Sequence, residues 1–200
     1  MQVDTEGVVC GLTTHGEHGG VVRFLSPEHG MVAAYIRGAR GRRMRPVLIP
    51  GNVVAVQLRW RNESQLPQAI MELAHSRAPL LSEPLPAAAI EWATALVAAA
   101  LPERQPYPRV YQALSGLLDA VEAAPSASGW AAALASFERL VLGELGYGRA
   151  QPVGQLGGTE VLAALERSGD DLFREALTGR TDSLADCRSR LIDRLRRRTA

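Results

Sequence analysis

Val32-Ala33-Ala34-Tyr35-Ile36-Arg37-Gly38-Ala39-Arg40-Gly41-Arg42-Arg43-Met44-Arg45-Pro46 is an apolar run that passes directly into a burst of arginines. The β-branched and aromatic side chains of its first part need a sheet in which to bury one face. Gly38 and Gly41 then break the run, so Arg37, Arg40, Arg42, Arg43 and Arg45 project from a loop. Five guanidiniums within nine residues repel one another, and no Asp or Glu lies between Met31 and Asn62 to offset them. A merely solubilising loop mixes charges of both signs. The pattern predicts a surface for a phosphate backbone, with these five arginines as its contacts.

Outward from this stretch, the flanking sequence predicts further strands. Gly7–Leu12 and Val21–Leu25 come before it, separated by the glycine-rich segment Thr13–Gly20. Ser26-Pro27-Glu28-His29-Gly30 is a tight turn, with Pro early and Gly last. Beyond the arginines, Pro50-Gly51-Asn52 turns the chain into Val53–Trp60, and Leu66–Leu73 follows. Five short strands at this spacing predict a small closed β-barrel of the OB type. Arg59 and Arg61 flank Trp60 at the end of the fourth strand and extend the predicted nucleic-acid surface along the barrel wall. Trp60 itself has two readings, a core side chain or a stacking surface for a base; Phe24 is expected inside.

At Ala78 the composition changes. Residues 1–77 form the predicted barrel domain, the proline-rich 78–86 a connector, and 87–200 an all-α domain, an α+β multidomain chain overall. Ile90, Trp92, Leu96 and Val97 recur at helical intervals, as do Val110, Leu114, Leu117 and Leu118, and then Trp130, Leu134, Phe137 and Val141. Thr159–Arg167, Asp170–Leu177 and Asp182–Arg198 predict three more helices. The charge follows the same division. Residues 1–77 carry nine Arg against six acids (+3), residues 78–185 seven against thirteen (−6), and residues 186–200 six against two (+4). A basic front and an acidic middle suit two different jobs.

Several classes of function are excluded as expectations. Cys10 and Cys187 are far apart and in no Cys-x-x-Cys, so neither a disulfide framework nor a metal site is predicted. His15 and His18 lack further ligands nearby. No Gly-x-Ser-x-Gly, Walker loop or dinucleotide fingerprint occurs, so no catalytic residue and no cofactor is predicted. Without an export-type opening or a long apolar span, the chain is expected in the cytoplasm and off the membrane.

The ordered series Glu6-Gly7-Val8-Val9, Ser26-Pro27-Glu28-His29-Gly30-Met31-Val32, Arg37-Gly38-Ala39-Arg40, Leu48-Ile49-Pro50-Gly51 and Phe137-Glu138-Arg139-Leu140-Val141-Leu142-Gly143-Glu144-Leu145-Gly146-Tyr147-Gly148 resembles the RecO family of bacterial recombination mediators. The resemblance runs from Thr5 to about Gly148 and weakens beyond. It implies an N-terminal OB domain followed by a helical domain, and binding to single- and double-stranded DNA. It also implies annealing of complementary strands, and cooperation with RecR in loading RecA onto DNA coated by single-strand-binding protein. The family's basic OB surface falls on the arginine loop. Its pocket for the acidic, apolar tail of single-strand-binding protein falls on the helix containing Phe137, Arg139, Leu140 and Leu142. Some members carry a four-cysteine zinc module after Gly-Tyr-Gly; this chain has only Cys187 there, so zinc is not expected. One alternative of a different class stays open: a docking adaptor whose arginines meet an acidic protein, with little DNA contact.

Overall fold

Alternating inward and outward side chains carry the front of the chain into five strands: β1 (Gln2–His15), β2 (Gly19–Ser26), β3 (Gly30–Ile36), β4 (Val53–Arg59) and β5 (Gln68–His75). The computed structural model describes residues 2–60, 62, 65–124, 126–148, 158–179 and 182–199. Its strands close into a barrel in the order β1-β2-β3-β5-β4, the predicted OB-type architecture. β1 serves both sides of the closure. Its first half pairs with β4, from Gln2 opposite Arg59 to Val8 opposite Val53. Its second half pairs with β2, from Val8 opposite Leu25 to His15 opposite Gly19. A bulge between Val9 and Gly11 marks the change of partner. β3 and β5 meet only briefly, where Tyr35 pairs with Gln68 and its N–H bonds the Pro67 carbonyl at 2.8 Å.

Two cores hold the molecule. Val9, Val22, Phe24, Ile36, Val54 and Leu58 fill the barrel, with Phe24 inside as expected. The second core belongs to the helices and to the barrel's outer wall together. It includes Val8, Cys10, Leu25 and Met31 from the strands, packed with Ile90, Trp92, Leu96 and their neighbours. The barrel and the helices are therefore joined through shared apolar burial, at about 1.5–3 kcal/mol for each large side chain withdrawn from water.

The helices are α1 (Pro84–Ala100), α2 (Pro108–Ala123), α3 (Ala131–Glu144), α4 (Gly158–Asp171) and α5 (Asp182–Thr199). The stretch expected as a connector is itself helical. Ala78–Ser82 is a 3-10 turn, and α1 begins at Pro84. Proline suits the first helical turn, whose N–H groups have no intrahelical acceptor and whose φ it already matches. α1 packs against β1 and β2 on one side and α5 on another, and Ala88, Ala89 and Ala93 keep it close to its neighbours. Gly30 (φ 67°) opens β3, where a Cβ would strike the Gln105 carbonyl of the α1–α2 link.

The two helices expected over Thr159–Arg167 and Asp170–Leu177 are one, α4 continuing into a π-helical turn at Leu172–Ala176. Gly169 does not break the helix. A Cβ there would strike the Arg188 guanidinium, which crosses from α5 to reach Glu138. Glu138 is fully buried and accepts from Trp92 Nε1 (2.7 Å), from Arg188 Nε (3.2 Å) and Nη2 (3.0 Å), and from the Ser168 hydroxyl. Arg188 also stands 5.6 Å over the Trp92 ring. One carboxylate thus ties α1, α3, α4 and α5 together.

Candidate nucleic-acid interface

The chain between β3 and β4 is a series of tight turns fixed at both ends. Gly38 takes φ 72°, and the Gly41 N–H bonds its carbonyl at 2.9 Å. The Met44 and Arg45 N–H groups bond the Gly41 carbonyl, and those of Val47 and Leu48 bond the Met44 carbonyl. Ala39, Val47 and Leu48 are buried in the barrel core, which anchors the segment from below. Asn52 closes it: its Nδ2 donates to the carbonyls of Pro46 (2.8 Å) and Val47 (3.3 Å). Its Oδ1 accepts the Arg77 N–H at 2.9 Å. On this frame Arg37, Arg40, Arg42, Arg43 and Arg45 are all exposed. Among the described residues none of them lies within ion-pair distance of a carboxylate. The structure brings these five together as an uncompensated positive surface.

The other arginines of the barrel differ among themselves. Arg59 is exposed, donates to Gln57 Oε1 at 2.7 Å, and lies one strand from Tyr35 across Gln68. Arg61 lies outside the described residues. Arg23 faces Glu103 at 3.6 Å. Arg77 is only 3% exposed and is structural. It donates to the Gly51 carbonyl at 2.8 Å and to Asp119, with Nε 3.2 Å from Glu122, and so ties the end of β5 to α2. Trp60 is half-buried against the barrel core and walls a cavity of about 260 Å³ with Val3, Val32 and Leu58. Glu28 stands at the rim, where the Thr5 hydroxyl (2.9 Å) holds its carboxyl below the usual range.

In the helical part the expected partner residues separate. Phe137 is 2% exposed and belongs to the core, so its apolar stripe serves packing. Leu140 is half-buried and stands apart from the nearby cavity. Arg139 and Leu142, one turn apart on α3, share the wall of a cavity of about 230 Å³ with Tyr147, Ala164, Arg167 and Asp171. Asp171 is already paired with Arg174, whereas neither Arg139 nor Arg167 meets a carboxylate among the described residues. Arg167 was not legible in the sequence, because only the packing of α4 on α3 brings it to Arg139.

Cys10 and Cys187 are both buried, and burial pushes their thiols up to about 12 and about 11, away from the thiolate a metal binds. Among the described residues no three His, Cys, Asp or Glu side chains gather, and no helix is long and apolar enough to cross a membrane.

A closed five-stranded barrel with a folded arginine loop between its third and fourth strands, sharing a core with a helical bundle, defines a two-part OB-type protein. The family model for recombination protein O N terminal matches residues 1–76, and that for recombination protein O C terminal matches residues 82–150. The chain belongs to the RecO family. Relatives named DNA repair protein RecO include one from Caulobacter vibrioides, 37% identical over 149 residues that cover 74% of this chain and 60% of the relative. Others come from Rhodospirillum centenum (38% identical; 74% and 58% covered) and a Bradyrhizobium strain (40% identical; 74% and 58% covered). The match therefore takes in about three fifths of these relatives' own length.

Proposed function

We propose that this chain is a non-catalytic mediator of DNA repair and homologous recombination, acting in the cytoplasm at the nucleoid. It binds single- and double-stranded DNA through the barrel (residues 1–77), anneals complementary strands, and helps load RecA onto DNA coated by single-strand-binding protein, with RecR as partner. The observation that carries this reading is the arginine loop: five exposed guanidiniums on a fixed frame, with no carboxylate at ion-pair distance among the described residues. Arginines that neutralise phosphates on two strands lower the repulsion between them, so that pairing proceeds. Arg37, Arg40, Arg42, Arg43 and Arg45 are the primary contacts in this proposal, and Arg59 and Arg61 extend them along the wall.

The helical part (residues 87–200), joined through 78–86, receives the acidic, apolar tail of single-strand-binding protein. Two guanidiniums, neither paired with a carboxylate among the described residues, beside Leu142, Ala164 and Tyr147 suit a carboxylate next to an apolar side chain. Arg139 and Leu142 supply that cavity, with Arg167 added; Phe137 and Leu140 support it through packing.

The test is annealing of two complementary oligonucleotides at physiological salt, bare and then coated with the cognate single-strand-binding protein. The purified chain is expected to accelerate both. No acceleration in either case would leave the docking-adaptor reading in its place.

A further inference from the structure

Beside the arginine loop, the outer face of the barrel carries an aromatic pair. Tyr35 is the last residue but one of β3, and the loop begins with Arg37 two residues further on. Its ring lies across β2 over Gly19, where an added Cβ would fall 2.6 and 2.7 Å from two ring carbons. Gly19 pairs with His15, and the His15 ring meets the Tyr35 ring edge-on, with centroids 6.1 Å apart and planes at 86°. The next residue, Gly20, seats the loop: an added Cβ there would come 2.9 Å from the Ala39 Cβ. Gly19 on one face of β2 thus seats the tyrosine ring, and Gly20 on the other face seats Ala39 at the base of the loop. Tyr35 is half-buried and His15 exposed, so the pair keeps surface open to solvent.

An aromatic ring covering a strand glycine stabilises a sheet by itself, but its place two residues before a loop of five exposed arginines, none paired with a carboxylate among the described residues, gives it a second use. An unpaired nucleotide offers a free π-face, whereas a base inside a duplex has both faces covered by its neighbours. Arginines that contact the phosphate backbone bind both forms, whereas a stacking surface engages only an unpaired base. We propose that Tyr35, braced by His15, is the platform on which an unpaired base of single-stranded DNA stacks while its phosphates lie on the arginine loop. The inference rests on the DNA-binding reading above and assigns its preference for an open strand to one side chain.

The experiment measures binding of the full chain to labelled oligothymidine and to a blunt-ended two-strand duplex at the same salt concentration. Tyr35→Leu, which keeps Gly19 covered, is expected to weaken oligothymidine binding by about tenfold and leave the duplex unchanged. Tyr35→Phe is expected to keep both. Equal weakening on both ligands, or none on either, overturns the proposal. A second measurement needs no variant: photocrosslinking of an oligonucleotide carrying 5-iodouracil is expected to join Tyr35 or His15, and crosslinks confined to other residues overturn it. Arg40→Ala/Arg42→Ala/Arg43→Ala tests the reading beneath. If that variant loses both ligands while Tyr35→Leu loses neither, the platform alone falls; if it loses neither ligand, the DNA-binding reading falls.

Discussion

Replacing Arg40, Arg42 and Arg43 with Ala should change how binding responds to salt more clearly than it changes anything else. The loop is held by Ala39, Val47, Leu48 and Asn52, and the three arginine side chains are exposed and unpaired among the described residues. Their removal should therefore leave the fold intact, within the roughly 0.5 kcal/mol typical of such surface changes. If all five loop arginines contact phosphates, counterion release gives a log–log slope of about −4.5 on duplex and about −3.5 on single strands. Two remaining contacts give about −1.8 and −1.4. Between about 50 and 200 mM salt, duplex affinity should fall roughly 500-fold for the unaltered chain and only about twelvefold for the variant. Fluorescence anisotropy at four or more salt concentrations, on two unrelated duplex sequences, measures both slopes. An unchanged slope would remove the loop from the DNA site, and a loss confined to one sequence would show base reading in place of backbone contact.

Three other perturbations test separate parts of the structure. Glu138→Leu strands the Arg188 guanidinium in the core and should cost about 3–5 kcal/mol in urea unfolding, most of which Glu138→Leu/Arg188→Met should recover; a double variant as unstable as the single one would refute the pairing as the cause. Both thiols are raised above their ordinary value of 9.0, to about 12 and about 11, so thiolate is scarce below those values and grows only as pH rises toward them. A thiol reagent at pH 8 should label neither cysteine in the folded chain and both in denaturant, and rapid labelling of the folded chain would contradict this burial. Arg139→Ala/Arg167→Ala should weaken binding of a peptide copying the single-strand-binding protein tail by at least about tenfold, given about 1.5–3 kcal/mol for a hydrogen bond to a charged group. DNA affinity should be unchanged, and an unaffected peptide would place the tail elsewhere.

The barrel was legible because its signals are local. Alternation, the Ser26–Gly30 turn and the Pro50-Gly51-Asn52 turn each occupy a few consecutive residues. The limits of β1 were not legible, because Thr13–His15 and Gly19-Gly20 carry turn composition yet pair as strand under the cover of Tyr35 and Leu12. The continuity of α4 was not legible for a similar reason: Gly169 falls in the gap expected between Arg167 and Asp170, and only the tertiary approach of Arg188 shows that its missing side chain leaves needed space. Phe137 shows the limit for a site. An apolar residue at helical spacing has the same pattern whether it lines a pocket or fills a core, and burial decides for the core.

The uneven fate of the arginines follows from where the acids stand in the chain. Residues 186–200 carry six Arg against two acids in the sequence. In the fold, Arg190 pairs with Glu91 of α1 at 3.0 Å, Arg196 with Glu166 of α4 at 2.7 Å, and Arg188 with Glu138, while Arg194 donates to the Pro84 carbonyl at 2.9 Å. The acidic middle thus absorbs most of the described basic tail, and those arginines serve as bridges between helices. Arg77 has the same fate at the other boundary, held by Asp119 and Glu122. The loop escapes because no acid lies between Met31 and Asn62 and the folded helices bring none to it among the described residues. Positive charge left over after folding, more than positive charge in the sequence, is what an incoming polyanion meets, and in this chain it concentrates on the loop and, to a lesser degree, on Arg139 and Arg167.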